Sequence, residues 1–180
     1  MAVQLIAVTG KEATEIQHDL GVSPTGERED FMYSSIVGTS LPNGAYLLYI
    51  QDRDMITDII ECEKDIFARL SKGASLISCY VCTTTMASYA CGWIDGFHIW
   101  SVTHCGGMIG IKHLETKGSL PSEFLDIRNT LFAKQEGEDG SDYITDYIFN
   151  VPIELFVALG GTRYNHNIKS DDPEPWEVLE

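Results

Sequence analysis

The stretch Met86-Ala-Ser-Tyr-Ala-Cys-Gly-Trp-Ile-Asp-Gly-Phe-His-Ile-Trp-Ser-Val-Thr-His-Cys105 decides how the rest of the chain is read. Two runs rich in aromatic and β-branched residues flank Asp95-Gly96. Asp-Gly between such runs signals a tight hairpin, because a type I′ turn needs φ > 0 at both central positions. With Ile94 and Phe97 closing the turn, Trp93 faces His98, Cys91 faces Trp100, Tyr89 faces Val102 and Ala87 faces His104. Side chains alternate along a strand, so this register collects all eight on one bulky, aromatic face. The opposite face, with Ile94, Phe97, Gly92, Ile99, Ala90, Ser101, Ser88 and Thr103, is slimmer and admits a helix at close range.

Upstream, Ala2 to Val8 reads as a strand, and Glu12 to Leu20 as a short helix stopped by Gly21. Ser23 to Asp30 is polar with Pro and Gly, an exposed loop. Met32 to Thr39 and Ala45 to Gln51 are strands joined through Asn43-Gly44. Taking Asp54 as N-cap, apolar residues recur at Ile56, Ile59, Ile60, Ile66, Phe67 and Leu70, a helical stripe closed by Lys72-Gly73. Glu63 interrupts that stripe and predicts a break near Cys62, or two short helices. Leu76 to Cys82 shows little polar alternation, as a central strand covered on both faces would.

Downstream of Gly106-Gly107, Met108 to Glu115 reads as a last strand and Leu120 to Gln135 as a second long helix. A compact apolar helix follows within Asp146 to Leu159, carrying Pro152 in its first turn. Strands come in antiparallel-looking runs with no βαβ alternation. The expected fold is therefore α+β: an antiparallel sheet of about six or seven strands with a central 86–105 hairpin and helices packed mainly on one face. One globular domain is expected over 1–164, followed by an acidic irregular C-terminal tail over 165–180, which carries five acids after Lys169.

The charge balance narrows function. Asp and Glu total 27 against 12 Lys and Arg, a net charge of −15. That field repels phosphate backbones and anionic lipid, so neither nucleic acid nor a membrane surface is an expected partner; a basic protein is. The N-terminal run lacks a basic region and is interrupted by Gln4, no segment is long enough to span a membrane, and five cysteines are an odd number. A cytoplasmic protein with reduced thiols is the expectation.

The sequence offers few routes to catalysis. Cys79-Tyr-Val-Cys82 has the redox spacing but lies in a strand, where residues three apart point to opposite faces. A zinc site needs four converging ligands. Cys91 and His98 share the hairpin diagonally, but His104 lies roughly 13 Å further along, so no metal or other cofactor is expected. Gly106-Gly107 precedes no Lys-Ser/Thr and no helix, and reads as a turn instead of a phosphate loop.

The reading that follows is a non-enzymatic, acidic protein-binding module of bacterial type, in concrete form an immunity or antitoxin-like inhibitor of a basic effector. Its partner-binding candidates are Asp58, Glu61, Glu63 and Asp65 on the first long helix, Glu138, Asp139 and Asp142 in the acidic loop, and Trp93 and Trp100 as anchors if the hairpin's aromatic face is exposed, the other reading of that face being core covered by helices. Two alternatives stand beside it. One is a small hydrolase using Cys91 with His98, or His104 with a carboxylate from elsewhere in the fold. The other is a structural subunit of a homo-oligomer whose aromatic face is covered only on assembly.

Overall fold

A computed structural model describes residues 1–137 and 145–180. The hairpin turn forms as expected, with Asp95 at φ 48° and Gly96 at φ 82°. Strands Ala87–Ile94 (β6) and Phe97–Cys105 (β7) start in the anticipated register, Ile94 opposite Phe97 and Trp93 opposite His98. The register then slips. Ile99 is an extra residue, so Gly92 pairs with Trp100, Cys91 with Ser101, Tyr89 with Thr103 and Ser88 with His104. A one-residue bulge moves every side chain beyond it to the other face. The single aromatic face expected from the sequence is thereby divided: Trp93, Cys91 and Tyr89 go one way, and Trp100, Val102 and His104 go the other. Gly92 is the residue that permits this, since a Cβ there would collide with the Trp100 indole.

The remaining strands are Ala2–Thr9 (β1), Pro24–Glu29 (β2), Ile36–Ser40 (β3), Ala45–Ile50 (β4), Ser75–Cys82 (β5), Glu115–Gly118 (β8) and Trp176–Leu179 (β9). Among the described residues these nine strands join one sheet in the order β2-β9-β3-β4-β1-β5-β6-β7-β8, with every pairing antiparallel. The fold is α+β, but nine strands exceed the six or seven expected. The additions are β2, which the sequence presented as an exposed loop, and β9, which lies in the stretch expected to be an irregular tail. Four residues suffice for β9 because Trp176 is fully buried and meets Tyr49 edge-on at 6.4 Å. The expected strand at Met108–Glu115 is instead a turn-rich loop, with Gly110 at φ 133° and Met108 and Ile109 exposed, and pairing resumes only at β8.

Helices Ala13–Leu20 (α1), Arg53–Glu61 (α2) and Glu63–Leu70 (α3) cover one face through Ile16, Leu20, Ile56, Ile59, Phe67 and Leu70, packed on Ile6, Val8 and Leu48. Asn150–Ala158 (α5) covers the other, setting Ile153 and Phe156 against Val3, Leu5 and Leu47. Phe124–Gly137 (α4) joins α5 over Trp100 and Val102. Helices therefore lie on both faces, not mainly on one. The central strands β1 and β4 are apolar along nearly their whole length, so each face needs cover.

Local signals place the helix ends. Gly21 adopts φ 84° and stops α1. Asp52, not Asp54, caps α2, its carboxylate accepting from the Met55 amide at 2.8 Å, while Asp54 sits in the first turn. The break at Cys62 is real: α2 ends there and α3 begins at Glu63.

Candidate functional site

Helices α2 and α3 share a core cluster with Cys91 and Trp93 of β6, while β8 at the sheet edge is exposed. Between α2–α3 and strands β6, β7 and β8 lies an open groove of about 900 Å³. Its helical wall carries Ile59, Ile60, Glu61, Glu63, Lys64, Asp65 and Phe67; its floor carries Tyr80, Tyr89, Trp93, Phe97, His98 and Thr103. Most of this lining is apolar, and Ile60 and Phe97 stand exposed on the lip.

The helix break sets the polar centre. By ending α2 at Cys62, the chain brings Glu63 to the first turn of α3, where its Oε1 accepts from the Tyr89 hydroxyl at 2.6 Å. Burial, helped by Cys91 and Glu63, pushes the Tyr89 phenol up. Burial and then the Glu63 charge push the Cys91 thiol well above its ordinary range. Tyr80, also shielded from water and next to Cys82, is pushed up to about 12. The groove's phenols are therefore neutral, as is the Cys91 thiol buried beneath Glu63. Trp93 closes the end beside Phe67, edge-on at 6.1 Å, and its buried Nε1–H has no hydrogen-bond acceptor.

Of the residues singled out from the sequence, Glu61, Glu63 and Asp65 line this groove, Glu61 and Asp65 being exposed and Glu63 half-buried. Asp58 is exposed on α2 outside it. Neither tryptophan is an exposed anchor: Trp93 is buried in the groove wall, and the bulge sends Trp100 to the opposite face, under α4 and α5. Glu138, Asp139 and Asp142 lie outside the described residues. Tyr80 and Phe97 were not singled out, although the alternation Leu76, Ser78, Tyr80 puts Tyr80 on the same face as Tyr89, its cross-strand partner.

The thiol–imidazole pairs do not assemble. Cys91 lies opposite Ser101, while His98 packs edge-on against Trp93 at 5.3 Å on the exposed side. Cys79 and Cys82 point to opposite faces, and Cys79 is held protonated by complete burial. Among the described residues no cysteine sulfur hydrogen-bonds an imidazole, and no group of three or more metal-ligating side chains converges.

His104 does find a carboxylate. Its Nε2 lies 2.9 Å from Asp146 Oδ2, and its Nδ1 lies 2.7 Å from the His113 carbonyl oxygen. Both ring nitrogens face acceptors and the ring is fully buried, although His104 is among the residues bordering the groove. Asp146 also accepts from the Phe149 amide at 3.0 Å, which fastens the entry of α5 to β7. Gly106 is required beside this pair, since a Cβ would meet Asp146 and His104, and at Gly107 it would meet the Thr85 carbonyl. The Gly-Gly step is thus a packing feature. No protein-family model, curated protein or solved structure matches the chain. No helix among the described residues is long and apolar enough to cross a membrane.

Proposed function

We propose that this chain is a binding module with no bond-making step, which receives a basic segment of another protein in the groove between α2–α3 and β6–β8. The biological form that fits best is an immunity or antitoxin-like inhibitor of a cationic bacterial effector. The observation that carries the reading is the acidic edge of an open apolar groove: Glu61, Glu63 and Asp65 all line it, against Lys64 and Lys117. Lys117 is already paired with Glu115 at 3.1 Å. An apolar floor supplies contact area, and an acidic rim speeds encounter with a positive surface and selects for it. The net charge of −15 extends the same bias over longer range. His104, with both ring nitrogens on acceptors, and the buried Cys79 and Cys91, whose thiols are pushed up, lend no support to a hydrolase built on them.

Selection from a random-peptide display library tests this without knowing the partner. Peptides rich in Lys or Arg with interspersed apolar residues should be enriched, should lose binding as salt rises, and should be lost on the double variant Glu61→Lys/Asp65→Lys. Enrichment of neutral or acidic peptides, or basic ones indifferent to that variant, would refute it. Light scattering showing a stable dimer whose formation blocks the groove would favour the homo-oligomeric subunit instead.

A further inference from the structure

We infer that the groove contains a dedicated receptor for one cationic side chain, a lysine or arginine of the basic partner, whose charged head docks on Glu63 between aromatic rings. This rests on the protein-binding reading above and names the partner's anchor.

Glu63 is a half-buried carboxylate that makes no ion pair among the described residues. Its partners are neutral: the Tyr89 hydroxyl donates to it, and the Cys91 thiol lies beside it. Lys64 and Lys117, the groove's own cations, both lie beyond ion-pairing distance of it. A partly shielded carboxylate held only by neutral donors still has acceptor capacity for a cation, and a charge-assisted hydrogen bond there is stronger than a neutral one. The surroundings suit the rest of such a side chain. Tyr80 and Tyr89, both partly exposed, place aromatic rings beside an entering cation, and Ile60 and Phe97 on the lip offer apolar surface to its methylene stem. The Cys91 thiol and both phenols beside Glu63 are neutral, so the other acids of the groove are the exposed Glu61 and Asp65 of its rim. The match is to a single positive charge on an apolar stem.

The test follows the Trp93 indole N–H resonance of the full chain, assigned with Trp93→Phe. The probes are acetyl-lysine methylamide, acetyl-arginine methylamide, the neutral acetyl-norleucine methylamide, and butylammonium. One or both cationic amides should shift the Trp93 signal saturably at roughly millimolar concentration, at least about tenfold more tightly than norleucine. Glu63→Gln should bring the cationic amides down to the norleucine level, and Tyr89→Phe should give an intermediate loss.

Equal binding of norleucine, or a Glu63→Gln protein that binds lysine normally, overturns the inference. Binding of butylammonium alone would assign the pocket to a free amine, and also overturns it. If Glu63→Gln fails to fold, the lysine-to-norleucine ratio on the unaltered protein still decides. The two proposals fail separately. Basic peptides lost on the rim variant but indifferent to Glu63→Gln would leave the binding module standing without this anchor. Lysine binding at Glu63 with no basic peptide selected would do the reverse.

Discussion

His104 Nε2 meets Asp146 Oδ2 at 2.9 Å, with the imidazole fully buried and the carboxylate nearly so. The contact joins β7 to the turn that opens α5, across 42 residues of sequence. Removing one member of a buried, hydrogen-bonded pair strands the other. His104→Ala and Asp146→Asn should each lower unfolding free energy by about 3–5 kcal/mol. The double variant should cost clearly less than their sum. Urea melts of the three proteins check this; single variants within about 1 kcal/mol of wild type would show the pair to be incidental.

The Gly92–Trp100 contact makes a second expectation. Gly92→Ala forces a methyl group into the indole and should destabilise by about 1–3 kcal/mol. Trp100→Leu alone should also destabilise, by leaving a void beneath α4 and α5. Combined, the two should cost less than their sum, because the smaller side chain leaves room for the new methyl group. Additive thermal melts would argue against the bulge.

Thiol labelling separates a packed set of cysteines from a reactive one. Cys62, exposed at the α2–α3 break, should react first with iodoacetamide in the native protein near neutral pH. Cys79 and Cys91, buried and held protonated, should be labelled only on unfolding. Peptide mapping after timed quenching gives the order, and rapid native labelling of Cys91 would revive the hydrolase reading.

Asp19 carries a pH signature. Burial works against its charge, but the hydrogen bond from Lys11 Nζ at 2.6 Å and the lysine's charge, with a smaller part from His18, hold its carboxyl below the ordinary value of 3.8. A group whose folded value is depressed stabilises the fold above its unfolded value and loses that stabilisation as pH falls through the folded one. Asp19→Asn should therefore cost about 0.5–1 kcal/mol at neutral pH, and the gap from wild type should narrow below pH 3.8 and then close. Urea titrations at several pH values measure it; a constant gap would exclude the pairing as its cause.

The groove's chemistry was half readable from sequence. Glu63 announced itself by breaking an apolar stripe, and the break proved to be what brings it to Tyr89. Trp93 and Trp100 looked alike in an alternating hairpin, yet one extra residue, Ile99, sent them to opposite faces. A glycine inside a strand is the available cue for such a bulge, and Gly92 supplies it; the collision partner that makes it necessary becomes identifiable only once Trp100 is placed.

What the chain settles by itself is local. The left-handed turn at Asp95-Gly96, the stop at Gly21 and the break at Cys62 follow from backbone sterics and hydrogen bonds spanning a few residues. The tertiary structure alone decides which distant segments pair. Trp176–Leu179 enters the sheet between β2 and β3, and Gln17 donates to both Tyr46 and Glu177 at 2.7 Å, closing a contact across 160 residues. A four-residue strand has too little apolar pattern to name its neighbours, so its place depends on an opening left by the rest of the sheet. The groove arises in the same way, from the meeting of α2 and α3 with strands β6 to β8, which are distant in sequence.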